Sequence, residues 1–429
     1  MRGNAVQYLP EEFHLSASDR ATMTADFQYF HANPELSFQE VETSRALRER
    51  LEAIDLSGEI TRQIIPVTDT GFACVLRNGP GPVVGYRADM DGLPVAERTG
   101  LAYASRATGI DASGKNVPVM HACGHDSHMT IALALARVFA ANAQLWRGTI
   151  VFVFQPSEEN GLGARAMVEA GLWEKAPRPQ IMYGGHVVPR PAGWVNLYPG
   201  GVLPGSDGFE IIVHGVGGHG SQPHRAVDPI VIGAAIVTRL QTIRSRMTDP
   251  DRNAVVSVGV FQAGSQDNII PDTARLCINT RFRDEETRAI INTGIERIVR
   301  AEALAAGAPE PLIRQIRKVD ATVNDDAAVA ALRDVIGAEF GEEHLASETF
   351  GFSEDFAVLG QAAGAQSVFW LFGGFSPEQL NPAQGEPASN HSPDFYADPE
   401  LSLEPAYRVG ACALYSQLTA APSHSPKLT

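Results

Sequence analysis

The sequence predicts an α/β protein of two domains, one of them a smaller α+β unit inserted into the other. Three observations carry this. Strand-like and helix-like stretches alternate through residues 1–204, the pattern of a layered α/β domain. Near residue 205 the texture changes to alternating strands separated by helical stretches near 227–246 and 284–305. From about 318 the α/β texture returns. The divisions are then 1–204 and 318–429 for the interrupted domain and 205–317 for the insertion. A chain of 429 residues is long enough for two such domains.

The elements follow in order. "LSFQEVETSRALRERLEAI" opens with Ser37 and Glu40 in capping-box spacing, and Val41, Leu47, Leu51 and Ile54 then recur with helical period. "GFACVLRN" and "GPVVGYRADMDG" read as strands closed by turn residues. "SHMTIALALARVFAANA" is an apolar helix. "GTIVFVFQPSEE" is an unbroken β-branched and aromatic run that stops at a proline, which suits a central parallel strand buried on both faces. "ARAMVEAGLW" reads as a helix with a glycine stop, and "QIMYGGHVV" as a short buried strand ending at His186. In the insertion, "GSDGFEIIVHG", "AVVSVGVFQAG" and "ARLCINTRFRD" alternate as strands. Beyond it, "DDAAVAALRDVIGAEF" is a helix, "SVFWLFGG" a strand and "EPAYRVGACALYSQL" a terminal helix. Residues 1–20 and the Pro/Ser tail after 420 read as loosely held.

Composition excludes several classes. The formal net charge is −16 and no Lys/Arg run occurs, so nothing resembles the basic stripe of a nucleic-acid binder. No stretch is long and apolar enough for a membrane span, and the first 20 residues lack the apolar segment of a signal peptide. The expected location is the cytoplasm. Of the four cysteines, Cys74, Cys277 and Cys412 sit in apolar text and read as small buried hydrophobes. Their wide spacing offers no disulfide framework. Cys123 alone has polar, metal-capable neighbours.

Those neighbours are "HACGHDSH", residues 121–128. Cys123 and His125 place a thiolate and an imidazole close together, and zinc and similar ions bind both. Asp89 and Asp91 follow one predicted strand, Glu158 and Glu159 another, and His186 a third. Ligands of open α/β sheets bind outside the carboxyl ends of strands, so these residues are placed to converge. Adjacent acids such as Glu158 and Glu159 can divide the work, one binding metal and one acting as base. Taken singly, each feature also has a plain reading: a solvated acidic pair, a satisfied histidine. A cysteine nucleophile at Cys123 is a further alternative, but it leaves the acidic pair and His186 without a task. "GVGGHG" (215–220) matches a dinucleotide fingerprint, yet Pro223 and Pro229 deny it the helix that motif needs. It reads instead as a flexible loop carrying His219 and His224.

Together the segments "HANPELSFQE", "RADMDGLP", "HACGHDSHM", "FQPSEENGLGARAM", "GGHV", "GVGGHGSQPH", "DNIIPDTARL", "SEDF" and "NHSPDF" resemble the M20 metallopeptidases, in their amidohydrolase branch. The resemblance runs from about residue 31 to 400. It implies a di-metal catalytic domain interrupted by a lid that often mediates dimerisation, hence a homodimer or homotetramer. It implies two divalent ions per chain, zinc first, with manganese, cobalt or nickel as other occupants. Their ligands would be Cys123, His125, Glu159, His186 and His391, with Glu158 as general base and Asp89 behind the ligands. Arg87 stands where the family's fuller peptidases carry a histidine, which leaves open whether Cys123 bridges both ions. The resemblance further implies that His219 stabilises the oxyanion, from the same chain or a partner subunit. Asn268, Arg281 and His224 would contact substrate, the first two gripping its carboxylate from lid strands. The substrate implied is an N-acyl amino acid; a dipeptidase or carboxypeptidase of the same fold is the alternative, and a non-catalytic binding homologue is disfavoured by the complete ligand set.

Overall fold

The computed structural model describes residues 8–381, 383 and 385–419. One compact unit takes the chain up to Gly200, Asn324–Glu348 and Asp355 onward; the other takes Gly201–Val323 and Thr349–Glu354. The second unit is thus wider than the 205–317 read from sequence, and hydrogen bonds explain the extension. Phe350 N–H donates to the Val202 carbonyl at 3.2 Å, and the Arg283 guanidinium donates to the carbonyls of Gly201, Val202 and Phe350.

In chain order the strands of the two main sheets are β1 (Thr61–Pro66), β2 (Phe72–Asn78), β3 (Val83–Asp89), β4 (Gly148–Gln155), β5 (Ile181–Pro191), β6 (Val195–Asn196), β7 (Ser206–His214), β8 (Ala254–Ala263), β9 (Thr273–Phe282), β10 (Leu312–Val319), β11 (Leu345–Ala346) and β12 (Gln366–Phe375). The first unit holds an eight-stranded sheet in the order β1-β2-β4-β3-β5-β12-β6-β11. Its centre, β4-β3-β5-β12, is parallel. The β1–β2 hairpin adds antiparallel to β4, and β6 adds antiparallel to β12. Every residue of β4 is buried, the physical reason its sequence is an unbroken apolar run.

Three helices matter for the site: α1 (Ala17–Ala32), α2 (Val41–Glu52) and α3 (His125–Ala141). Helix α3 is buried throughout except at Arg137 and Ala141 and packs on α1, α2 and the terminal helix Leu403–Leu418. The loose N-terminus expected from sequence is corrected from residue 8 onward. Leu9, Phe13 and Leu15 are buried, and the Phe13 ring lies 4.8 Å from that of Phe139. Ser16 and Asp19 form a capping box that opens α1. The available signal was the i, i+4, i+7 spacing of Met23, Phe27 and Phe30, all buried. The tail from 420 lies outside the described residues. The capping box expected at Ser37 and Glu40 does not form. The Glu35 carboxylate accepts instead from the N–H groups of Glu42 and Thr43 at the start of α2.

The second unit's main sheet, β8-β9-β7-β10, is antiparallel throughout. Alternate residues of β9 from Ala274 to Phe282 are buried. They pack against α4 (Pro229–Thr242) and α5 (Glu285–Ala305) through Ile232, Ile236, Leu240, Ile291 and Ile295. Cys277 falls on the other face of β9 and is half-buried, which corrects the expectation of a core cysteine. Cys74 and Cys412 are buried as expected, and all four cysteines are free.

Candidate active site

The carboxyl ends of β3 and β4 deliver Asp89, Asp91, Glu158 and Glu159 to one side of the first unit, beside the turn that starts α3. Gly124 makes that turn. Its φ is +83°, and a Cβ there would meet Val187 Cγ1 at 2.3 Å, so only glycine lets Cys123 approach β5. His186 points in from the middle of β5, not from a strand end, because β5 continues to Pro191. His391 arrives on a loop with φ +69°, pinned by its N–H to the Ala122 carbonyl at 2.7 Å.

These elements gather the sequence-predicted ligands around one sulfur. Cys123 Sγ lies 3.4 Å from His186 Nε2 and 3.3 Å from His391 Nε2. His391 Nε2 is 3.3 Å from Glu159 Oε2, and His125 Nε2 is 4.0 Å from Glu159 Oε1. Glu158 Oε2 stands 3.8 Å from His125 Nε2. His125 and His186 each place Nδ1 against a carbonyl, of Asp91 at 2.8 Å and of Val187 at 2.7 Å. A carbonyl only accepts, so Nδ1 carries the proton and Nε2 presents a lone pair to the cluster.

The donor set fits divalent metal. His125 Nε2 and Glu159 Oε1 are buried with no hydrogen-bond partner in the protein, an expensive state unless an ion takes their lone pairs. Two groups of donor atoms, Cys123/His125/His186 and Cys123/Glu159/His391, each lie within 4.8 Å of one another and have Cys123 in common. The electrostatics agree. Burial and then the Glu159 and Glu158 carboxylates push the Cys123 thiol well above its ordinary pKa. Burial alone would lower His125, but the Asp89 and Asp91 carboxylates hold it up at about 10. A cation placed among these groups reverses both preferences.

Asp89 backs the cluster, its Oδ2 3.6 Å from His125 Nε2. It accepts from Arg87 at 2.5 Å and pairs with His128 Nδ1 at 2.5 Å, while His128 Nε2 accepts from the Val187 N–H. Of the three histidines in the opening motif, His125 has its unpartnered Nε2 beside Cys123 and Glu159, whereas His128 spends both ring nitrogens on Asp89 and Val187. His121 is buried with neither ring nitrogen hydrogen-bonded, and burial lowers its pKa to about 4. Sequence reasoning missed Asn390, whose amide donates to the carbonyls of Cys123 and Val187. Its position beside His391 was the only signal.

It also missed His31. Burial would lower the pKa of His31, but hydrogen bonds to Asp126 at 2.7 Å and Glu97 at 3.0 Å overcome that and raise it to about 9. Asp126 follows His125 directly, so this buried pair anchors the first turn of α3. A folded-state pKa above the unfolded value stabilises below pH ~6.5, and the contribution fades as pH rises through about 9. Its size is on the order of 3 kcal/mol. His31→Gln is therefore expected to lower Tm most at or below neutral pH, with the gap to wild type narrowing above pH 9. Calorimetry across that range checks it; a gap independent of pH refutes the ionic account.

In the second unit, His219 pairs with Ile269 on a two-residue ladder, and the Gly220 N–H donates to the Asn268 carbonyl. His219 and Asn268 are therefore neighbours, both exposed. Asn268 precedes the short strand Ile269–Ile270 and is not on it, a correction to the sequence reading. His224 lies in the single turn Pro223–Arg225, and no helix begins at the glycine-rich loop. Arg281 is on β9, on the same half-exposed face as Cys277. Its Nη1 is buried without a partner, and burial and then the neighbouring Arg317 lower its pKa. Both arms bearing His219 and Asn268 leave the sheet at the Thr273 end. Arg281 is eight residues further along β9, about 26 Å at the rise of an antiparallel strand. Within one second unit, a small substrate cannot touch Arg281 and the His219–Asn268 pair together.

A parallel α/β sheet with thiolate, imidazole and carboxylate donors gathered beside its strand ends, and a second carboxylate next to them, has the make-up of a metal-dependent hydrolase. The chain belongs to peptidase family M20/M25/M40, whose model matches residues 85–415, and it is a hydrolase of amide bonds. It is 37% identical to a hippurate hydrolase of Campylobacter jejuni over 75% of this chain and 82% of the relative. It is 38% identical to an N-acyl-L-amino acid amidohydrolase of Geobacillus stearothermophilus, over 66% of this chain and 72% of the relative. Among solved structures it is similar to a dinuclear metal-binding M20 peptidase, the YXEP protein of Bacillus subtilis. That match has a TM-score of 0.74 and 26% identity, covering 94% of this chain and all of the other. Among the described residues, no helix is long and apolar enough to cross a membrane.

Proposed function

We propose that this protein hydrolyses the amide bond of N-acyl amino acids, releasing a carboxylic acid and a free amino acid. The reading rests on one observation: the Nε2 atoms of His186 and His391 lie within hydrogen-bond range of Cys123 Sγ, with the orphaned His125 Nε2 and Glu159 Oε1 beside them. Cys123, His125 and His186 would hold one divalent ion and Cys123, Glu159 and His391 another, with the thiolate shared. When bound, the ions polarise the scissile carbonyl and acidify a water. Glu158 takes the proton of the attacking water and passes it to the leaving amine. His391, its side chain 55% exposed, leaves one side of the cluster open to substrate.

Specificity is assigned to the second unit. Arg281 binds the substrate carboxylate; its orphaned buried Nη1 and the adjacent Arg317 make a site short of negative charge, and a guanidinium fork suits a carboxylate. His219 stabilises the tetrahedral oxyanion and Asn268 helps hold the carboxylate. Because the length of β9 separates them from Arg281, we assign the two groups to different subunits of a homodimer. Support comes from the edge strand β8 and helix α4, which expose Val255, Phe261, Ile230 and Val231. Four free cysteines fit a reducing cytoplasm. The Cys123-nucleophile alternative fares poorly, because its thiol is buried against two carboxylates, opposite to the electropositive setting a reactive cysteine needs.

The test is a hydrolysis panel of hippurate, N-acetyl amino acids and dipeptides, with and without chelator. Chelator-sensitive release of free amino acid from the N-acyl substrates is expected. Preference for a free α-amino group would make the protein a dipeptidase, and chelator resistance would remove the metal mechanism. On the same panel, Arg281→Ala should raise KM for free-acid substrates by about 10- to 100-fold, the worth of one charged hydrogen bond. Equal losses on esterified and free-acid substrates would refute the carboxylate contact.

A further inference from the structure

Three successive backbone N–H groups, those of Ser157, Glu158 and Glu159, each donate to a buried carboxylate from elsewhere in the first unit. Ser157 donates to Glu40 Oε1 at 2.9 Å. Glu158 and Glu159 donate to the two oxygens of Asp91, at 3.0 and 3.1 Å. Asp91 also accepts from the Ser37 hydroxyl at 2.6 Å and lies 3.3 Å from His125 Nδ1. Glu40 is fully buried, and its remaining bonds come from the Phe38 N–H at 2.8 Å and the Thr70 hydroxyl at 2.9 Å.

The backbone shows what this arrangement holds in place. Among the described residues, non-glycine residues with positive φ are Phe38 at +61°, Ser157 at +55° and His391 at +69°. Glu40 Oε1 bonds the first two. A left-handed serine costs roughly 1 kcal/mol or more and persists only where its surroundings over-determine it. Without the Glu40 contact the left-handed Ser157 keeps only its carbonyl bond from the Gly163 N–H, and the peptide leading into Glu158 can shift within what the two Asp91 bonds allow, displacing the base and its neighbouring ligand.

We infer that Glu40 is a positioning residue for the hydrolytic centre, its carboxylate fixing the left-handed Ser157 and thereby the carboxylates of Glu158 and Glu159. It touches neither substrate nor metal. The inference rests on the functional roles proposed above for those two residues.

Glu40→Ala and Glu40→Gln separate positioning from simple stability. Gln keeps the oxygen that accepts from Phe38 and Ser157, and its amide can donate to Thr70. Glu40→Ala is expected to lower kcat at saturating metal by about 10- to 100-fold with little change in KM, the cost of misplaced reacting groups. It should also weaken retention of added zinc against a competing chelator by about 10-fold, as loss of a ligand's supporting partner does. Glu40→Gln should restore both. Should Glu40→Ala not fold, Glu40→Asp, which draws the carboxylate back from Ser157, is expected to show the same two losses. Folded Glu40→Ala or Glu40→Asp with wild-type kcat and zinc retention overturns the inference, as does Glu40→Gln impaired as severely as Glu40→Ala. Zinc retention decides the matter even if wild type leaves every N-acyl substrate intact, an outcome that would sink the functional reading alone.

Discussion

Glu158→Gln is expected to lower kcat by about 10²- to 10⁴-fold, the usual worth of a general base, while bound metal stays at the wild-type value. The amide has nearly the same shape as the carboxylate but takes no proton from water at neutral pH. The Glu158 backbone N–H remains held by Asp91, and Glu159 keeps its carboxylate beside His391. The backbone bond that seats Glu158 and the contact of Glu159 with His391 are therefore kept. Steady-state kinetics with elemental analysis on the same sample check this. Unchanged kcat places the base elsewhere. A parallel fall in metal content makes Glu158 a ligand and leaves the proton transfer to another group.

The second large effect is expected at Cys123. Cys123→Ala removes the one donor common to both candidate groups, leaving His125 with His186 and Glu159 with His391. Affinity for both ions should fall by more than about 100-fold, since losing even a ligand's supporting partner costs 10- to 100-fold. Activity should fall with it and return in part at high added metal. Loss of a single ion per chain assigns Cys123 to one group only. Loss of activity with both ions retained identifies the sulfur as a nucleophile and overturns the mechanism.

Much of the chain was legible before any tertiary information. The unbroken apolar run of β4 announced a strand covered on both faces, and the structure buries all of it. The 3.6-residue rhythm after Val41 announced α2, and the change of texture near 205 announced an insertion. Cys123 and His125 stood out as candidate donors because two side chains able to bind metal stand one residue apart. His391 did not; alone in a Pro/Ser loop it carries no local signal, and resemblance to a family supplied it. The loose reading of residues 8–20 failed because Leu9, Phe13 and Leu15 are isolated apolar residues whose burial depends on partners such as Phe139 and Tyr415, far along the chain.

The misread capping box shows where local reasoning stops. Ser37 and Glu40 have the spacing of a helix start, yet Ser37 bonds Asp91 and Glu40 bonds Ser157. Spacing reports which backbone groups a side chain can reach nearby. It says nothing of donors that folding brings from 117 residues away, as it brings Ser157 to Glu40. Residue chemistry and period by themselves determined the α/β class, the inserted unit and the candidate donors of the cysteine motif, since those follow from local side-chain type and rhythm. Only the tertiary structure decided that one sulfur lies between two donor groups, that His186 enters from mid-strand, and that Arg281 is remote from His219 within one unit. Each of those is set by register and crossover in the sheets, where the partners of a residue are chosen by chain segments its own neighbours do not specify.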